Sequence, residues 1–257
     1  MTAPVQVTAD DTGARASIRL FHPKGNIITE EMIAALGRAL EQVAGRPHLK
    51  LMTLEGAGAD FSFGASIPEH MPGEVERVLP KAHALIDRLL SFPSPTAALV
   101  RGRCLGGGFE LALGCDFIFA ERSATFGLPE IALGVFPPAG CALLPLRVGA
   151  ARAARAILTG APSTAEALRD AGLVALVSDD GALDADVDRW FGDHLAGRSA
   201  EALRHAATAA RLGLQREFWN LIPELERLYL DVLMKTADAR EGVAAFLEKR
   251  PPDWKDR

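Results

Sequence analysis

Two kinds of hydrophobic pattern alternate along the first 180 residues of the chain. Short apolar runs with strand character are separated by segments whose apolar residues recur every three or four positions, as on one face of a helix. The strand-like runs are ASIRLF (16–21), LKLMTLEG (49–56), TAALVRG (96–102), DFIFAE (116–121) and LVALVS (173–178). The clearest helical segments are TEEMIAALGRALEQVA (29–44) and EVERVLPKAHALIDRLL (74–90). This alternation predicts an α/β core.

The pattern changes once, past about residue 182, where strand character gives way to amphipathic helical segments. The clearest of these are LIPELERLYLDVLMKTA (221–237) and EGVAAFLEKR (241–250). No low-complexity linker or short-period repeat marks a boundary between the two parts. We therefore predict an α/β core over residues 1–195 and a helical C-terminal region over 196–257.

Composition and charge narrow the function classes. The net charge of −5 disfavours a nucleic-acid surface, because phosphate binding needs concentrated Lys and Arg. No apolar run is long enough to span a bilayer, and the N-terminal MTAPVQVTADD lacks a signal-peptide pattern, so we expect a cytoplasmic protein with no membrane partner. The three cysteines form no CxxC pair and the six histidines no HExxH motif, so neither a disulfide framework nor a metal site is expected.

The segment CLGGGFELALGCD (104–116) places Glu110 two residues after three consecutive glycines. A strand precedes the glycines, and FELALGCD predicts a short helix after them. The N–H of Gly107 would then lie at a helix N-terminus, where an oxyanion is stabilised. The plainer alternative is tight helix–strand packing with a solvated Glu110. A dinucleotide-binding GxGxxG motif is disfavoured, because Leu111 stands where its third glycine would be.

Two further segments carry candidate chemistry. In ATFGLPEIALGVFPPAG (124–140), Glu130 stands among apolar neighbours, either as a carboxylate at a helix N-terminus or as a functional acid whose burial is costly. In GADFSFGASIPEH (58–70), a glycine turn directly follows a predicted strand and by itself indicates only a loop.

Together, these three segments resemble the crotonase (enoyl-CoA hydratase/isomerase) superfamily over nearly the whole chain. The resemblance implies a crotonase-like spiral of ββα units with a C-terminal α-helical oligomerisation region. It implies that the backbone N–H groups of Ala65 and Gly107 form an oxyanion hole for a CoA thioester. It also implies two catalytic glutamates, Glu110 and Glu130, and a homo-oligomer, either a trimer or a dimer of trimers.

The resemblance also implies which residues bind the substrate. The expected CoA-binding residues are Lys24, Gly64, Ile67, Phe246 and Lys249, of which Phe246 and Lys249 would reach the CoA of a neighbouring subunit. The expected acyl pocket contains Phe63, His70, Phe136 and Pro137. CoA is part of the substrate, so no separate cofactor is expected.

Three sequence features depart from the common family pattern. Ser66 stands where many members have Asp, HPKGNIIT replaces an RPxALNAL-like loop, and GVFPPAGCALLP replaces a GxxPGxGGTQRL-like run. The segments KGNIIT, FSFGASIPEH, FPPAGCALLP and FLEKRPPDW most resemble cyclohexa-1,5-diene-1-carbonyl-CoA hydratases. The acyl group is therefore expected to be a ring dienoyl, with a short linear enoyl group as the alternative.

The leading function is hydration of an α,β-unsaturated acyl-CoA thioester by a hydro-lyase. Glu110 is expected to hold and activate the water and Glu130 to deliver the proton, although a coupled pair could share these roles. One alternative is an enoyl-CoA isomerase, which needs a single base. Another is an RNA-binding homologue, for which Arg147, Arg152 and Arg155 form the only basic cluster that the sequence suggests.

Overall fold

The computed structural model describes residues 3–71 and 73–257. The strands are β1 (Val5–Ala9), β2 (Arg15–Leu20), β3 (Leu51–Gly56), β4 (Thr96–Val100), β5 (Arg103–Leu105), β6 (Phe117–Glu121), β7 (Thr125–Gly127), β8 (Ser163–Thr164) and β9 (Leu176–Ser178). The α-helices are α1 (Glu30–Ala44), α2 (Val75–Leu90), α3 (Gly107–Leu113), α4 (Pro138–Val148), α5 (Ala150–Thr159), α6 (Ala165–Asp170), α7 (Leu183–Phe191), α8 (Ala200–Arg227) and α9 (Ala237–Glu248).

The strands form two sheets. The larger has the order β1-β2-β3-β4-β6-β9, in which β1 is antiparallel to β2 and the other pairs are parallel. The smaller has the order β5-β7-β8. The chain passes from β4 to β5 and into α3, and then from β6 to β7 and on to α4. Each of these two turns adds one strand to each sheet and then a helix, which gives a spiral of ββα units and confirms the α/β class.

The central strands β3 and β4 are buried on both faces, as their largely apolar sequences predict. On one face, residues of the large sheet such as Leu54 and Ala98 join the main hydrophobic core with α1, α2, α3 and α4. On the other face, Leu99 and Phe119 pack with Val187 of α7 in a smaller cluster. Helices therefore cover the sheet on both sides, and its parallel strands are shielded from solvent.

The C-terminal helices pack on the core of the same chain. Ser199 caps α8 by accepting a hydrogen bond from the N–H of Ala202 at 3.3 Å. Helix α8 lies against α2 and α4, and its residues Phe218 and Ile222 belong to the main core. Helix α9 packs against two 3-10 turns, Ile67–His70 and Pro129–Leu133. The division at residue 196 stays a prediction.

Two local expectations are corrected by the structure. Helix α3 begins at Gly107 and ends at Leu113, so it starts two residues earlier than FELALGCD predicts. The segment 221–237 is not one regular helix, because a π-helical turn, Leu228–Val232, follows α8. Within residues 3–71 and 73–257, no helix has the length and apolar character that crossing a bilayer would require.

Candidate active site

The loop that follows β3 is held in place by the buried side chain of Asn26. The Asn26 Nδ2 donates hydrogen bonds to the carbonyl oxygens of Ala57 (2.9 Å) and Asp60 (2.8 Å). The Ser62 hydroxyl donates to the carbonyl oxygen of Asn26 at 2.8 Å and accepts from the N–H of Gly64 at 3.0 Å. These bonds fix the direction of the N–H groups at the end of the loop.

This loop approaches the glycine turn before α3 very closely. Gly64 has a φ of +98°, and a Cβ at this position would lie 2.9 Å from the carbonyl oxygen of Leu105 and 3.4 Å from the nitrogen of Gly107. Only glycine fits this backbone conformation and this spacing. A Cβ on Gly107 would in turn lie 3.4 Å from the nitrogen of Ala65. Two backbone nitrogens from separate loops therefore lie side by side.

Both nitrogens belong to residues that line one cavity, and both N–H groups are free to donate. In the part of the chain that the structure describes, neither Ala65 nor Gly107 donates its N–H to a protein acceptor. Unpaired backbone donors inside a protein are rare. Two of them converging on one cavity form a site for a carbonyl oxygen that gains negative charge.

Glu110 lies three residues after Gly107 on α3, so its side chain returns to the same side of the helix. Its Oε1 accepts a hydrogen bond from the N–H of Gly140 at 2.7 Å, and a Cβ on Gly107 would lie 3.8 Å from its Oε2. Burial raises the pKa of Glu110, while the N–H groups of Gly140 and Ala139 and the nearby His83 oppose that rise.

Glu130 lies in the turn Pro129–Leu133 and lines the same cavity as Glu110. A Cβ on Gly106 would lie 2.8 Å from the Glu130 Oε1, which explains the need for glycine there. The Glu130 Oε2 is buried, with no hydrogen-bond partner among the described residues. Burial, and next the charge of Glu110, raise the pKa of Glu130 to about 8. Glu130 therefore keeps its proton to a higher pH than an ordinary glutamate, and the N–H groups that donate to Glu110 oppose part of the rise in the pKa of Glu110.

The cavity encloses about 110 Å³, and its walls are mostly apolar side chains of α2 and of the segment after β7. The predicted site residues that line it are Phe63, Gly64, Ala65, Ile67, His70, Gly107, Glu110, Glu130 and Pro137. Phe136 does not line it, because its ring packs edge-on against Tyr229 at 5.3 Å and stands behind the wall. Lys24, Phe246 and Lys249 also lie outside the lining.

The positively charged residues expected to bind CoA lie on the surface. Lys24 is exposed and adjoins Gly25, where a Cβ would meet the Phe63 ring at 2.8 Å. Arg103, which the sequence interpretation did not select, places its guanidinium 4.0 Å from the centre of that ring. Lys24 and Arg103 thus both lie near the Phe63 side of the cavity.

Helix α9 places Phe246 and Lys249 at its exposed C-terminal end. The helix packs against the turns Ile67–His70 and Pro129–Leu133 of its own chain, so it lies beside its own cavity. Contact between these two residues and the CoA of a neighbouring subunit stays a prediction.

Two polar residues of the cavity wall were missed by the sequence interpretation. His83 was treated only as one of six histidines, yet it is buried on α2 and lines the cavity. Tyr229 also lines the cavity; burial, and next the charges of Glu130 and Glu110, raise the pKa of its hydroxyl. The sequence did contain a signal for His83. This residue occupies the apolar face of α2, where a polar side chain is unusual and can indicate a functional role.

The structure offers no obvious metal centre in the residues it describes, since no three His, Cys, Asp or Glu side chains cluster there as ligands would. The cavity therefore contains two buried carboxyl groups with raised pKa values, two free backbone N–H donors and a largely apolar wall.

Comparison with known proteins identifies the family. The family model described as enoyl-CoA hydratase/isomerase matches residues 12–257. The chain belongs to the enoyl-CoA hydratase/isomerase family. Among solved structures, an enoyl-CoA hydratase from Mycobacterium avium superposes with a TM-score of 0.87 at 27% identity, covering 99% of this chain and 100% of that one. The family and the crotonase-like fold that the sequence predicts are thereby confirmed.

Two relatives of this family cover nearly the whole chain. A cyclohexa-1,5-dienecarbonyl-CoA hydratase from Thauera aromatica is 40% identical over 100% of this chain and 98% of its own length. A 2,3-dehydroadipyl-CoA hydratase from Escherichia coli strain K12 is 33% identical over 90% of this chain and 91% of its own. Both are hydratases, which is the hydro-lyase class that the sequence predicts for this chain.

Proposed function

We propose that this protein adds water to an α,β-unsaturated acyl-CoA thioester, using two glutamates and a backbone oxyanion hole. The observation that carries the proposal is the joint placement of Glu110 and Glu130 with the free N–H groups of Ala65 and Gly107 in one cavity. The raised pKa of Glu130 supports its role as the acid, and the N–H of Gly140 that donates to Glu110 supports the carboxylate form of the base.

The proposed reaction uses each of these groups once. The Glu110 carboxylate takes a proton from water as the water oxygen bonds to the β-carbon of the thioester. The electron pair of the double bond moves towards the carbonyl oxygen, where the N–H groups of Ala65 and Gly107 stabilise the developing charge. Glu130 then gives its proton to the α-carbon as the carbonyl is restored. A proton passes from Glu110 to Glu130 by way of the next water, which restores the Glu110 carboxylate and the protonated Glu130.

We further propose that the acyl group is a ring dienoyl. The 40% identical relative is a hydratase of this kind, and the rigid Pro137 and Phe63 in the wall suit a flat ring. We expect kcat/KM for cyclohexa-1,5-diene-1-carbonyl-CoA to exceed that for crotonyl-CoA at least tenfold, about 1.4 kcal/mol in transition-state binding. Both are measured under identical conditions. A tenfold preference for crotonyl-CoA would rule out the ring substrate and leave hydration standing.

The raised pKa of Glu130 predicts how the rate depends on pH. Glu130 must be protonated to deliver its proton, so the hydration rate is expected to fall as pH rises through about 8. The kcat/KM measured between pH 6 and 10 checks this. In the Glu130→Asp variant, which keeps a carboxyl group, the alkaline limb is expected to persist at a lower overall rate. A wild-type rate that stays flat to pH 10 would exclude Glu130 as the acid.

The two alternative functions are less well supported. An isomerase needs one base, whereas the cavity holds two glutamates. The RNA-binding alternative is weakened at Arg147. Its guanidinium already donates hydrogen bonds to the carbonyl oxygens of Leu113, Cys115 and Asp116. Hydration of an acyl-CoA is therefore the function we favour.

A homo-oligomer, either a trimer or a dimer of trimers, is also part of the proposal. Exposed apolar side chains on the C-terminal helices support it, among them Leu212, Trp219, Leu228 and Val232. Light scattering at micromolar concentration tests the proposal, and a stable monomer would contradict it.

A further inference from the structure

The segment 250–257 turns back after α9 and runs along that helix. The N–H of Asp253 donates a hydrogen bond to the Glu241 Oε1 at 2.8 Å. The N–H of Lys255 donates to the Asp238 Oδ1, one turn nearer the start of α9, at 2.7 Å. These two bonds hold the segment against α9 and fix the direction of the side chain between them.

That side chain is Trp254, whose indole ring covers two glycines. A Cβ on Gly134 would lie 3.1 Å from the indole Cζ3, and a Cβ on Gly242 of α9 would lie 3.0 Å from the indole Cη2. The same Cβ on Gly242 would collide with the carbonyl oxygen of Leu133. The indole, α9 and the turn Pro129–Leu133 therefore meet at one point, and both glycines leave the space that the indole needs.

Gly134 directly follows the turn Pro129–Leu133, which carries Glu130. Its φ of +69° is left-handed, and its N–H donates to the carbonyl oxygen of Ile131 at 3.1 Å. The next N–H, that of Val135, donates to the carbonyl oxygen of Glu130 itself at 3.2 Å. Displacement of Gly134 would therefore disturb the bonds that close the turn and, with them, the position of the Glu130 carboxyl group.

We propose that Trp254 is a positioning residue, which holds the turn Pro129–Leu133 against α9 and so keeps the carboxyl group of Glu130 in place in the cavity. The catalytic meaning of this inference rests on the proposed hydration, in which Glu130 is the acid. The packing of Trp254 on Gly134 and Gly242 involves no substrate, so it can be tested separately from the reaction.

Trp254 acts on Glu130 through packing and not through charge. The charged residues of α9 and of the segment 250–257 pair with one another at the surface, as Arg250 does with Glu241. On α4, the thiol of Cys141 stays neutral, because burial, and next the two carboxylates, raise its pKa to about 12. The ionisable residues that line the cavity in the described part of the chain all belong to other elements: Glu69, His70, His83, Glu110, Glu130 and Tyr229.

The first test is hydrogen–deuterium exchange without substrate, measured by mass spectrometry on peptides that cover residues 129–135. In Trp254→Ala the indole no longer holds Gly134, so the N–H groups of Gly134 and Val135 are expected to exchange about tenfold faster than in the wild type. Trp254→Phe refills part of the space and is expected to give an intermediate rate. If Trp254→Ala does not fold, Trp254→Leu makes the same comparison with a smaller loss of contact.

An apolar side chain at the C-terminal end of α9 provides the matched control. Leu247 is 42% exposed, close to the 40% of Trp254. Leu247→Ala is expected to leave the exchange of residues 129–135 at the wild-type rate. Unchanged exchange in the folded Trp254 variants would overturn the proposal, as would an equal increase in Leu247→Ala.

The second test is the pH dependence of hydration in the same variants. Burial is the main cause of the raised pKa of Glu130, so a turn that opens to water is expected to lower that pKa. In Trp254→Ala the alkaline limb of kcat is therefore expected to move to lower pH by about one unit. A misplaced acid is also expected to lower kcat at neutral pH about tenfold, and Trp254→Phe should recover part of both effects.

The two tests separate the proposed positioning role from the proposed function. Faster exchange in Trp254→Ala with an unmoved alkaline limb and a wild-type kcat would overturn the positioning role. If the wild-type protein lacks hydratase activity while the exchange responds as expected, the proposed function fails and the packing of Trp254 against the turn of Glu130 stands.

Discussion

Replacing Glu110 with glutamine is expected to lower kcat for hydration by about 10²- to 10⁴-fold, the range typical of general acid–base catalysis. Glutamine keeps the side-chain oxygen that accepts from the Gly140 N–H, so the local structure is preserved. It cannot take a proton from water at neutral pH, so the proposed reaction loses its base. Steady-state assays with the ring dienoyl thioester and with crotonyl-CoA measure the loss, and circular dichroism checks the fold.

Two further variants make this result specific. Glu166→Gln removes a carboxylate that pairs with Arg122 at the surface, and it is expected to keep the wild-type rate. Glu130→Gln is expected to be as slow as Glu110→Gln, and the double variant little slower than either single one, because the two carboxyl groups act as a unit. A full hydratase rate in Glu110→Gln would contradict the two-carboxylate mechanism.

Much of the fold could be predicted from local patterns. The runs that became β3 and β4 are buried on both faces, so most of their residues are apolar and the strands are easily recognised. Strand β1 was missed for the opposite reason, since its residues are exposed or half-buried and carry no strong pattern. The start of α3 at Gly107 was missed because glycine disfavours helix interiors, whereas here it permits close approach to the loop of Ala65.

The parts of the candidate site that could be predicted are those in which a candidate catalytic residue lies within a recognisable sequence motif. Glu110 and Glu130 each follow a recognisable turn, and the structure brings both to one cavity. The pairing of His83 with Glu226 joins two helices 143 positions apart, which no local pattern encodes. Phe136 was misplaced because adjacent residues of an irregular segment point in different directions, and Pro137 rather than Phe136 lines the cavity.

The second large effect on the hydration rate is expected from the Gly64→Ala substitution, which disturbs the proposed oxyanion hole. A methyl group at this position would lie 2.9 Å from the Leu105 carbonyl oxygen and 3.4 Å from the Gly107 nitrogen. The two loops must separate to admit it, which displaces one N–H donor from the thioester oxygen. We expect kcat to fall about 10²- to 10³-fold, or about 2.7–4 kcal/mol, the cost of losing one such donor. Steady-state kinetics with either thioester measures it.

Gly58→Ala separates this effect from backbone strain. Gly58 lies in the same loop and also has a positive φ, +81°, but a Cβ there would meet no atom within 4 Å. Alanine at either glycine pays the cost of a left-handed conformation, so both variants are expected to lower the unfolding temperature. Only the Gly64→Ala methyl group enters the space beside the Ala65 and Gly107 N–H donors. Only this variant is therefore expected to show a lower kcat. If both variants lost kcat equally, the rate would depend on the stiffness of the loop and not on the spacing of the Ala65 and Gly107 N–H groups.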